Sequence, residues 1–331
     1  MKPTDNSPTP RPDLGLVVTE VRSNAPTQGF IADRVFPYFH VSAQSADYPV
    51  LPAKAAFNVH DTQRASGGNY QRVSEEFEFG HYKTNENGLE YPVDDRFSSM
   101  YGGLFNYESS ISTLLMDKIL RAREARVAAK VFNSRNYAHT DAAKVWTDTT
   151  ADLKADVDAR REALRSRGID ANLLIVNWAN FQAMCKNAKV IEAVRDIFPD
   201  AAKSGTVSIK HLETYLDVNL AVAGALQNTA KKSKAAALAN IWSSDFAMLA
   251  CVAEGPDTDV LAPCIGRTFC WNEGASEDVI VEEYRENSSR ASILRVRHDS
   301  SEHLLCSRDD DGNPISPISK HCGELIRVRT A

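Results

Sequence analysis

What the sequence lacks narrows its chemistry first. It contains no apolar run long enough to span a bilayer, so no membrane segment is expected. It has no phosphate-cradling GxxxxGK[ST], no GxGxxG after a strand, no HExxH and no GxSxG, so the common nucleotide, metalloprotease and hydrolase sites have no foothold. It lacks a basic excess: 38 Lys and Arg stand against 44 Asp and Glu, for a net charge of −6. That removes the global footprint of a nucleic-acid binder and leaves only local patches. Six cysteines in 331 residues are too few for a disulfide framework. The opening MKPTDNSPTPRPDLG carries no apolar core behind its charges, so no secretory signal is expected and synthesis is placed in the cytoplasm.

What is present is an ordinary globular composition, 43% hydrophobic and 25% charged. Its order along the chain is less ordinary. Residues 1–28, rich in Pro, Ser, Thr and Asn, read as a flexible tail. GFIADRVFPYFHVSAQSADYPVL (Gly29–Leu51) has apolar residues worth burying but no helical or strand period, and reads as an extended arm. From Pro52 to Pro92, polar strands around Phe57, Phe77 and Phe79 fit a long hairpin turning at Gly67–Gly68. Such a two-stranded ribbon is marginal in water without something to lie on.

Ile111, Leu115, Ile119 and Ala122 predict a long helix over about 106–133, capped by Asn106 or Ser109. A second helix over 150–167 ends at Gly168. A buried strand spans 172–177, and two short helices break near Asn187. A further short helix follows Thr206, and strands lie within 217–228 and 241–254. DVIVEEYRE, ASILRVRHD and GELIRVRT read as antiparallel strands.

Candidate chemistry is thin. Asp94–Asp95, Glu75–Glu76 and Glu282–Glu283 read as solvated faces or ion-pair partners. His303, Cys306, His321 and Cys322 have metal-ligand types, but the adjacent pair points apart on a strand, so no metal site is expected. Cys306 and Cys322 stand open between a disulfide across the terminal turn and reduced thiols. Cys264 and Cys270 read as free thiols first and a bridge second, and Cys185 and Cys251 as small core residues. Lys231, Lys232 and Lys234 form a surface loop, with anion binding or a pore lining as the sharper reading. Arg121, Arg123, Arg126 and Lys130 suit the negative end of the long helix and pairing with Glu124, or contact with nucleic acid. The Gly pair of YGGLF reads as a hinge. No catalytic residue and no cofactor is expected.

Three stretches carry a family resemblance: the arm Gly29–Leu51, EYPVDDRFSSMYGGLFNYESSISTLLMDKILRAREARVAAKVF (Glu90–Phe132) and ANLLIVNWANFQAMCKNAKVIEAVRDIF (Ala171–Phe198). In this order they resemble the arm, the spine helix and the start of the A-domain in major capsid proteins of tailed bacteriophages, the HK97 fold. The resemblance implies an α+β chain of five parts. These are a tail and arm (1–51), an E-loop ribbon (52–92), a P-domain with the spine helix (93–170), an axial A-domain (171–272) and return strands of the P-domain (273–331). It implies self-assembly as pentamers and hexamers into an icosahedral shell around double-stranded DNA, with separate scaffolding, portal and decoration proteins as partners and no membrane. An encapsulin-like compartment is the alternative within the fold, and an enzyme with an unfamiliar site the alternative outside it. Interface candidates are Phe30, Ile31, Val35, Phe36, Phe39, Phe57, Arg64, Gly67, Gly68, Phe77, Phe79 and Lys83. Lys83 also stands where some members place a cross-linking lysine, although no partner Asn or Glu is identifiable.

Overall fold

From Thr9 onward the segment expected as a flexible tail is regular structure. In the computed structural model, which describes residues 8–50, 57, 59–64, 66–74, 77–101, 106–137, 139–198, 207–273, 278–305 and 322–329, Thr9–Pro10 (β1) joins a sheet edge and Pro12–Asn24 forms α1. Pro12 sits in the first turn, where its missing N–H costs nothing. Leu14, Val18 and Val21 then follow at helical spacing and pack into a core under the spine helix.

Gly29 ends the turn at φ +82°, and its carbonyl accepts from the N–H groups of Gly224 and Ala225 at 3.0 and 3.2 Å. A Cβ there would lie 2.7 Å from the Gly224 Cα. Gly29→Ala therefore combines left-handed strain with backbone overlap, and is expected to cost about 2 kcal/mol in a urea titration. A loss below about 0.5 kcal/mol would show that the two backbones part easily.

The arm has no single period because successive anchors enter different cores. Phe30 joins the core under the spine, while Ile31, Val35 and Phe36 join a second core. Phe39 packs against a small aromatic cluster at the ribbon. Only a four-residue helix, Ala32–Val35 (α2), and the strand Tyr38–Val41 (β2) are regular. The ribbon starts earlier than expected, at Ser45–Val50 (β3), paired antiparallel with Glu78–Lys83 (β4). A turn lies at Ser66–Gly67, where Gly67 has φ +82°.

Asn85–Asp94 (β5) and Asp95–Tyr101 (α3) lead to the spine, Tyr107–Val131 (α4). The Asn106 side chain accepts from the Ser109 N–H at 3.1 Å, as its position predicts. The spine's 25 residues extend about 37 Å. Its first half, Ile111 to Leu120, belongs to the core with α1, and its last turns, Val127 to Val131, belong to the second core. Its length therefore serves two bodies. The expected Gly102–Gly103 hinge lies outside the described residues.

The central body follows the sequence closely. His139–Asp141 (β6), Leu153–Arg165 (α5), Leu173–Asn177 (β7), Trp178–Lys186 (α6), Ala188–Ile197 (α7), Ile209–Leu216 (α8), Asn219–Ala223 (β8), Leu226–Asn228 (β9), Leu238–Asn240 (β10) and Phe246–Ala250 (β11) come in order. Asn187 breaks the α6–α7 pair because its side chain caps α7 through the Val190 N–H. The five-stranded sheet runs β6, Gly323–Arg327 (β15), β11, β7, β8. Leu174 and Val176 face the core covered by α5 to α8, and Leu173 and Ile175 face the core shared with the arm and spine. Burial on both faces explains the unbroken apolar run.

The other sheet is built on Ala291–Leu304 (β14). β5 lines one edge, while Ile280–Glu286 (β13) and Gly266–Trp271 (β12) follow one another along the other. β12 in turn pairs parallel with β2. Two assignments change. β15 was expected among the return strands of 273–331 but inserts between β6 and β11. Leu325 serves one core and Ile326 the other, which demands a doubly covered position. β12, expected within 171–272, joins β14 because Phe269 is needed by the ribbon's aromatics.

Candidate assembly surface

The base of the ribbon is clamped by aromatic rings. Tyr82 stacks on Phe269 at 4.5 Å, Tyr48 at 5.4 Å, and Phe39 meets it edge-on at 5.8 Å. Beyond this clamp the ribbon carries large exposed apolar side chains, although a Cβ on Gly168 would fall against the Phe57 ring. Phe57, Val59, Tyr70, Val73, Phe77 and Phe79 are all exposed, Val59 at 97%. Large apolar side chains concentrated on one protruding element mark an interaction surface.

The candidates from sequence therefore divide. Phe30, Ile31, Val35 and Phe36 are buried within their own subunit, and Phe39 is half-buried, so the arm's apolar demand is met at home. Phe57, Phe77 and Phe79 stay exposed, with the Phe57 ring lying against Gly168. Arg64 stacks on Tyr70 at 4.7 Å near the tip, and Gly67 and Gly68 are exposed beside it. Lys83 lies at the root of the ribbon, opposite Ser45, far from the tip in register. Val59, Tyr70 and Val73 belong to the same surface. Their signal was present as apolar residues in a polar ribbon without partners.

The spine's basic residues are engaged internally. Arg123 is fully buried, pairs with Asp33 and donates to the Phe36 carbonyl and Thr268 Oγ1 at 3.0 Å each. Burial alone would lower its pKa, but Tyr38 and Asp33 outweigh that and raise it. Arg22 and Arg123 each lie 4.1 Å from the Tyr38 ring centre. Arg126 makes a two-pronged contact with Glu302 at 3.0 and 2.8 Å. Burial pushes Glu302 up, but Arg126 and Arg123 hold its carboxyl below the usual range. Arg121 pairs with Asp117. Glu124, the expected partner of these cations, instead accepts from the N–H groups of Ile31 and Ala32 at 3.0 and 2.9 Å and from Trp242 Nε1 at 2.6 Å. Burial raises its pKa against those three donors.

The carboxylates of Asp95, Glu282 and Glu283 are ion-paired, while Glu75–Glu76 lies outside the described residues. Asp95 binds Arg285 through both oxygens, Glu282 meets Arg295 and Arg297, and Glu283 meets Arg11. Lys231, Lys232 and Lys234 sit exposed in the turn between β9 and β10. Cys185, Cys251, Cys264, Cys270 and Cys322 are free thiols, and the considered Cys306–Cys322 bridge lies outside the described residues. No helix among the described residues is long and apolar enough to cross a membrane.

Two long sheets bridged by a spine helix, with a projecting ribbon, define an α+β HK97-like capsid fold. The solved structures that share it include a phage-related protein from Bordetella bronchiseptica RB50, with TM-score 0.68 at 18% identity over 98% of both chains. A structure from Microbacterium phage Oxtober96 matches with TM-score 0.52 at 14% identity over 90% of both chains. One from Mycobacterium phage Adephagia matches with TM-score 0.51 at 12% identity, covering 92% of this chain and 91% of the other. At these identities the likeness is one of fold. No protein-family model and no curated protein matches the sequence.

Proposed function

We propose that this chain is the shell subunit of a tailed phage or prophage, assembling as pentamers and hexamers into an icosahedral capsid around double-stranded DNA. One observation carries the reading. On a chain of capsid fold, six large apolar residues along the ribbon are exposed, Phe57, Val59, Tyr70, Val73, Phe77 and Phe79. Further copies of the chain are the partners that would cover them, with scaffolding, portal and decoration proteins acting on the assembly. Lys231, Lys232 and Lys234, exposed between β9 and β10, are the segment we assign to the capsomer centre.

The test combines expression with a double substitution. Purified chain is examined by negative-stain microscopy and sedimentation, with and without a phage scaffold. Particles, tubes or discrete capsomers are expected. Phe77→Asp together with Phe79→Asp is expected to cost no more than about 1–2 kcal/mol of folding stability, because both side chains are about half exposed. The same pair is expected to abolish closed particles. A wild-type chain that stays monomeric at high concentration sinks the proposal, and normal particles from the double variant sink the role of the ribbon.

A further inference from the structure

His40 and Cys270 are register partners on the parallel pair β2–β12, so their side chains leave the sheet on the same side. Asp278, just before β13, approaches from a third element. His40 Nε2, Cys270 Sγ and a carboxylate oxygen of Asp278 all lie within 4.8 Å of one another. We propose that these three atoms form a binding site for a borderline-soft divalent transition metal, with zinc the first choice.

The surroundings are those of a ligand set rather than of a plain ion pair. Asp257 holds His40 twice: its Oδ1 accepts the His40 backbone N–H at 2.7 Å, and its Oδ2 lies 2.7 Å from Nδ1. A carboxylate on one ring nitrogen fixes the tautomer and turns the other nitrogen into a ligand. That other nitrogen, Nε2, lies 2.8 Å from Asp278 Oδ1. Two acceptors at that distance need a cation between them, either a proton or a metal ion. Cys270 supplies the observation that an ion pair leaves unexplained. It is 1% exposed, it belongs to this cluster, and its sulfur makes no hydrogen bond among the described residues.

Nitrogen, sulfur and oxygen donors with one side open to solvent at His40 suit zinc, which takes three protein ligands and a water. Ligand atoms round such an ion sit about 3.3–3.6 Å apart, so His40 and Asp278 would separate slightly as the sulfur draws in. The exchange balances in charge. One Zn2+ enters and two protons leave to solvent, one from the thiol and one from between Nε2 and Oδ1. The guanidinium groups of Arg22, which donates to Asp278 Oδ2 at 2.9 Å, and of Arg123 therefore do not oppose the exchange. The ion would fasten the arm strand β2 to β12 and to the approach of β13, whatever the chain assembles into.

The untagged full-length chain, incubated with zinc chloride and gel-filtered, is expected to retain about one zinc per chain and to melt at a higher temperature. Cobalt(II) in place of zinc is expected to give a thiolate charge-transfer band. Cys270→Ser should remove that band, and His40→Gln should cut retention at least about tenfold. Asp257→Asn, which alters a positioning residue, should weaken binding about 10–100-fold while leaving the cobalt band at saturation. A chain that retains no zinc overturns the site. So does a cobalt band that survives Cys270→Ser, because the sulfur would then belong to another cysteine. If Cys270→Ser fails to fold, His40→Gln at the exposed side decides, and undiminished retention there overturns the site.

Discussion

Glu124→Ala is expected to destabilise the subunit by about 3–5 kcal/mol, the largest loss from any single substitution considered for this chain. Glu124 is fully buried at the middle of α4, where its carboxylate is the acceptor for three donors from two other segments. Two are the N–H groups that open α2, which have no helical partner of their own. The third is Trp242 Nε1. Truncation strands all three in a buried core, and each orphaned donor costs about 1–3 kcal/mol before any relaxation. Removal of a buried charge gives some of this back, since burial already raises the pKa of this carboxyl. Glu124→Gln keeps one acceptor oxygen but turns an amide N–H towards a donor, so an intermediate loss is expected. Urea titration followed by Trp fluorescence measures both. A Glu124→Ala chain within about 1 kcal/mol of wild type would mean that α2 and Trp242 find other acceptors.

This residue also shows where the sequence was readable and where it was not. The spine helix, its Asn106 cap, the β7 strand and the break at Asn187 were legible because each depends on residues adjacent in sequence. The arm was not. Phe30, Ile31, Val35 and Phe36 looked unpartnered because they enter two cores built by segments roughly a hundred residues away. Glu124 was placed with its neighbouring arginines because they share a helix, yet its partners lie at residues 31, 32 and 242. The same limit hid the grouping of His40, Asp257, Cys270 and Asp278, which no local spacing joins. The ribbon was legible for the opposite reason. Phe57, Phe77 and Phe79 lacked partners in sequence and stay exposed in the folded subunit.

Acid should loosen the seam between the spine and β14 through His298. This side chain is 4% exposed and its Nε2 has no partner, while Ser300 Oγ lies 3.1 Å from Nδ1. Burial, then the charges of Arg123, Arg126 and Arg22, push its pKa down to about 4, and only Glu302 pulls the other way. A histidine whose folded pKa lies below the unfolded value of about 6.5 binds fewer protons when folded. Its contribution is therefore complete above about pH 6.5 and is lost as pH falls towards 4. At 1.36 kcal/mol per pH unit, the step amounts to about 3 kcal/mol. Glu302, held low by its arginines, adds a loss of the same sign at lower pH, whereas the raised Glu124 acts in the opposite sense. The difference between wild type and His298→Gln isolates the histidine. Unfolding free energies measured at several values between pH 7.5 and 4 should show wild type losing about 3 kcal/mol more than His298→Gln, with the divergence beginning near pH 6.5. Parallel curves would mean that the imidazole gains a proton in the folded chain without penalty, through a water or a shift of Ser300. The spine–β14 seam, which carries the Arg126–Glu302 pair, therefore weakens in acid and is firm at neutral pH.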